Sequence, residues 1–70
     1  VDKSISDLME AKRQIDSTLH KLRETIKTFE AKENPDRYKS QITLAKRRIK
    51  AFEISVDLIE REIRTLGADN

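Results

Sequence analysis

The chain has 70 residues, 40% of them charged and 36% hydrophobic, with a formal net charge of +2. That length supports one small domain, and no apolar run exceeds two residues, far short of the roughly 20 that span a bilayer. Without cysteine there is no disulfide framework or thiolate metal site, and one glycine and one proline exclude a Gly-rich phosphate loop and a turn-rich β fold.

Hydrophobic periodicity predicts a first helix over about residues 3–33. Its apolar stripe runs through Val1, Ile5, Leu8, Lys12, Ile15, Leu19, Leu22, Ile26 and Phe29, with steps alternating between four and three residues and Lys12 as the one polar exception. This spacing keeps a narrow stripe on one side of a helix, as in a coiled coil. Lys12 is expected to lay its methylenes along that stripe and lift its ammonium to solvent.

A tight turn over residues 33–35 follows. Asn34 is suited to cap the next helix with its side-chain oxygen. Pro35 suits the first helical position, and Asp36 puts a carboxylate in the first turn, where the helix dipole favours it. The proline also disfavours helical geometry at Asn34, which stops the first helix by about Glu33.

The second helix is predicted from residue 35 to about 66, with its seam at Tyr38, Ile42, Ala45, Ile49, Phe52, Val56, Ile59, Ile63 and Leu66. Gly67 is expected to close it in the left-handed conformation, with residues 68–70 fraying. An antiparallel register pairs Phe29 with Ile42, Ile26 with Ala45, Leu22 with Ile49, Leu19 with Phe52 and Ile15 with Val56. The midpoint of that register falls on the Pro35–Asp36 bond, where the turn signals also place the apex. The expected fold is all-α, a single two-helix antiparallel coiled-coil hairpin over residues 1–70. Arg23 lies close to Lys46 and within diagonal reach of Glu53, so apolar contact rather than ion pairing is expected to set the fold.

The second helix has more apolar residues than one seam can use. Leu44, Ala51, Ile54 and Leu58 lie about 160° from its centre. Contiguous exposed apolar patches mark interfaces, so these four residues are the expected partner-binding face. The basic run Lys46-Arg47-Arg48-Ile49-Lys50 offers phosphate contact or steering of an acidic partner. With Phe29 and Phe52 in the seam and Tyr38 at the turn, aromatic residues for base stacking are few, and nucleic-acid binding is disfavoured. His20 faces solvent without a second histidine. No catalytic residue, metal site or cofactor is expected.

From the turn onward the chain resembles the small co-chaperones of bacterial type III secretion. The matching residues are Pro35-Asp36-Arg37-Tyr38, Ala45 seven residues after the tyrosine, and the apolar run from Ile49 to Ile63. The resemblance covers roughly residues 34–66, and the first helix agrees in length and periodicity. It implies a cytoplasmic helical hairpin that joins a tetratricopeptide-type chaperone and keeps the secreted needle subunit soluble and unpolymerised. The alternatives are a self-associating coiled-coil scaffold or adaptor, or a structural assembly subunit; a homo-oligomer belongs to that reading.

Overall fold

The computed structural model describes residues 4–68 and forms an all-α hairpin of two packed helices. Helix α1 spans Ile5–Glu30, a 3-10 turn spans Pro35–Tyr38, and α2 spans Lys39–Ala68.

α1 begins at a capping box. The Ser4 hydroxyl accepts a hydrogen bond from the Asp7 backbone N–H at 3.1 Å, and the Ser4 N–H donates to the Asp7 carboxylate at 3.4 Å. Two backbone donors that a bare helix end leaves unpaired are thus satisfied. Ser4→Ala is expected to lower the stability of the hairpin by about 1 kcal/mol, read as a lower urea midpoint with an unchanged slope. An unchanged midpoint would show that this cap contributes nothing.

The apex differs from the sequence expectation in three ways. α1 ends at Glu30 rather than near Glu33: the Ala31 N–H still bonds the Lys27 carbonyl, and the Lys32 N–H reaches the Phe29 carbonyl at 3.2 Å. Residues 31–34 are needed to reverse the chain. Asn34 makes no side-chain cap; its backbone carbonyl instead accepts from the Arg37 N–H at 3.1 Å. That three-residue bond makes the first turn after Asn34 a 3-10 turn, so the α-helix itself starts at Lys39 and not at residue 35. Tyr38 stacks on Phe29, with ring centroids 4.8 Å apart and planes inclined by 19°. The stack ties the end of α1 to the start of α2.

At the far end, α2 continues through Gly67 to Ala68, and Gly67 has no positive φ. The expected left-handed closure is therefore absent. Glycine tolerates ordinary helical geometry, and the seam residue Leu66 is half-buried in the last turn. The stripe position assigned to Val1 and the fraying assigned to Asp69 and Asn70 lie outside the described residues.

Leu8, Leu19, Ile26, Ala45 and Val56 are the buried core, with Leu19 the most enclosed at 4% exposure. Ile5, Lys12, Ile15, Leu22 and Phe29 on α1, Tyr38 in the 3-10 turn, and Ile42, Ile49, Phe52, Ile59, Ile63 and Leu66 on α2 are half-buried beside them. Every described stripe position is thus at least partly covered. Among the described residues no side chain is fully buried, because two helices cannot surround a residue on all sides. The molecule is a rod of 54 × 19 × 15 Å with a radius of gyration of 16.0 Å, against about 11 Å for a compact chain of this length. Its accessible surface, 5739 Å², exceeds the roughly 4,500 Å² expected for a globular protein of its mass.

Candidate functional site

The face of α2 opposite α1 carries the largest uncovered apolar groups of the second helix. Leu44 is 50% exposed, Ile54 51% and Leu58 57%, and Ala51 is exposed between them. Residues 44 to 58 rise about 21 Å along the axis at 1.5 Å per residue. Their steps of seven, three and four residues keep them on one side of the helix, with Arg47 in the row between Leu44 and Ala51, so α2 carries a second, shorter apolar stripe that α1 does not cover.

Two hydroxyls near this face bond back to their own helix. Ser55 Oγ donates to the Ala51 carbonyl at 3.0 Å and Thr65 Oγ1 to the Arg61 carbonyl at 3.0 Å. Such back-bonding satisfies a helical hydroxyl locally. Met9 is the matching exposure on α1, at 58%. It lies next to Leu8 near the open end of the hairpin, and no second apolar stripe accompanies it.

Charges are distributed unequally between the two sides of α2. Two of its acids reach across to α1: Glu53 accepts from Arg23 Nη2 at 2.9 Å, and Glu60 lies 3.7 Å from Lys12 Nζ. Arg23 thus takes the diagonal partner Glu53. Lys12 is half-buried in the seam and hydrogen-bonds Asp16 at 2.9 Å, so its ammonium sits between two carboxylates. The Asp16 hydrogen bond and charge, with Glu60 behind them, hold the Lys12 pKa above its ordinary value. On α1, hydrogen bonds from Gln14 and then Arg13 hold the Glu10 carboxyl below its ordinary range. A lysine raised in this way favours the folded state at any pH below its unfolded value, and the contribution fades as pH rises through the folded value. For Glu10 the contribution is present above the unfolded value and fades as pH falls through the folded one. The charged ends of both groups reach solvent, so screening keeps these effects small.

Other predicted residues take structural places. Asn34, Arg37 and Tyr38 line a polar, open depression at the apex with Lys32 and Glu33. His20 is exposed on α1. Among the described residues, no group of three or more His, Cys, Asp and Glu could hold a metal ion. No described helix is long and apolar enough to cross a membrane. Sequence reasoning missed the Ser4 capping box, although the spacing Ser4-x-x-Asp7 ahead of a periodic run is its signal.

No protein-family profile, curated protein or solved structure matches the chain. What is established is the class of fold, an all-α helical hairpin.

Proposed function

We propose that the chain is a non-enzymatic protein-binding hairpin that offers the outer face of α2 to a different protein. The observation that carries this reading is the alignment of Leu44, Ile54 and Leu58, each at least half exposed, on the side that α1 leaves open. An apolar stripe with helical spacing is what helix-in-groove recognition uses. The thin core supports the same reading, since a two-helix unit of this size has little stability to spare and gains from covering a second stripe.

The finer reading is a type III secretion co-chaperone in the cytoplasm. It would pair with a tetratricopeptide-type chaperone and keep the needle subunit soluble and unpolymerised. Its support is the resemblance carried by Pro35-Asp36-Arg37-Tyr38 and the apolar run that follows. The concave surface of such a chaperone would accept Leu44, Ala51, Ile54 and Leu58.

A self-associating scaffold is the second reading, favoured by the coiled-coil spacing of the outer stripe. Light scattering on the isolated chain over a hundredfold concentration range separates the two. The expected result is a monomer at every concentration. A dimer or tetramer that persists on dilution would mean that the stripe is covered by copies of the same chain, and the co-chaperone reading would fall.

A further inference from the structure

The hairpin sorts the charges of α2. Two of its four acids, Glu53 and Glu60, face Arg23 and Lys12 of α1. Five of its seven cations, Arg47, Arg48, Lys50, Arg61 and Arg64, are exposed on or beside the outer stripe, and none has a carboxylate within ion-pair distance among the described residues. Arg47 and Arg61 stand two helical turns before and after Ile54, in the same row of the outer stripe. Lys50 and Arg64 lie along one edge of that stripe and Arg48 along the other, each edge about 70° from its centre. Only Asp57 and Glu62 offset them there. The apolar stripe is therefore framed by unpaired positive charge.

That frame selects the occupant. A second copy crossing antiparallel at Ile54 would set Arg47 against Arg61, and a parallel copy would set each arginine against itself. Like charges placed together across an interface disfavour that pairing. A phosphate surface would meet the cations but leave Leu44, Ile54 and Leu58 in the middle of the contact without apolar partners. A helix with apolar residues at three- and four-residue steps and carboxylates on both flanks satisfies both features.

Building on the docking reading above, we propose that the outer face of α2 binds an acidic amphipathic α-helix of its partner. The partner's apolar seam covers Leu44, Ala51, Ile54 and Leu58, and its flanking Asp and Glu residues meet Arg47, Arg48, Lys50, Arg61 and Arg64.

The test uses the full chain and two labelled synthetic helical peptides of equal length and identical apolar seam, one flanked by Glu and the other by Lys. Fluorescence anisotropy at low salt is expected to give at least about tenfold tighter binding of the Glu peptide. At about 0.5 M NaCl, where charges are screened within a few ångströms, the preference should largely vanish. Arg47→Glu with Arg61→Glu should reverse the preference, and the milder Arg47→Gln with Arg61→Gln should bring it towards unity, with helicity by circular dichroism retained in both. Equal binding of the two peptides, lost in Ile54→Asn with Leu58→Asn, would overturn the charge selection and leave the docking reading standing. Binding of neither peptide, or binding indifferent to Ile54→Asn with Leu58→Asn, would remove the docking reading as well. Tighter binding to phosphatidylglycerol vesicles or to a short DNA duplex than to the Glu peptide would overturn the proposal in favour of a phosphate surface.

Discussion

Leu19→Ala is expected to lower the stability of the isolated hairpin by about 2 kcal/mol. Leu19 is the most enclosed side chain, at 4% exposure, and it lies in mid-seam where both helices contribute cover. Removing a buried leucine side chain loses its transfer free energy and leaves a cavity, together about 2–5 kcal/mol. The low end of that range applies, since a gap between two helices opens easily to water. A small single core rarely supplies more than about 3–5 kcal/mol, so that loss takes a large share of the stability and should shift the urea midpoint strongly downward. The measurement is the ellipticity at 222 nm with a urea titration. Leu58→Ala is the control: at 57% exposure it should move stability by no more than about 0.5 kcal/mol. If Leu58→Ala shifts the midpoint strongly and Leu19→Ala does not, the inner and outer faces of the hairpin have been exchanged.

Ile54→Asn with Leu58→Asn should do the reverse, keeping the fold and losing the partner. Both side chains are at least half exposed, so the folded chain loses only helix propensity, a few tenths of a kcal/mol per site. At an interface the same residues would be apolar anchors. Truncating an anchor typically costs about 2 kcal/mol or more, roughly a thirtyfold weakening. Co-expression with a tetratricopeptide-type chaperone and its needle subunit, followed by size exclusion, measures this directly. The wild-type chain should travel with both proteins and the double variant should elute alone with its helicity intact. Co-elution of the double variant at wild-type yield would move the interface elsewhere on the hairpin.

The stripe of α1 and the inner stripe of α2 were legible because they depend on one physical variable, which side of a helix meets water. Leu8, Leu19, Ile26, Ala45 and Val56 are buried where the alternating spacing places them, and Leu44, Ile54 and Leu58 are exposed for the same reason. The apex was less legible because its geometry is decided between elements. Asn34 and Pro35 read locally as the start of an α-helix, yet the chain must turn through residues 31–34 and bring Tyr38 onto Phe29. A 3-10 turn meets that demand. Gly67 shows the same limit, since a helix stops where its stabilising contacts stop and not merely where a residue would allow it. On the docking reading, what covers the outer stripe is a property of another molecule, and the chain encodes only its complement: apolar in the middle, positive at the edges.

The absence of any fully buried side chain among the described residues governs how the protein responds to temperature. The heat capacity change and the denaturant slope of unfolding both scale with the surface that unfolding exposes. A seam shared by only two helices therefore gives a shallow stability curve and a broad melt. Against so small a baseline, mass action by a bound partner is large: at a free concentration one hundred times the Kd, it adds about 2.7 kcal/mol. The population of folded hairpin then reports partner occupancy, and the surplus chain, left alone, is the fraction most open to proteolysis.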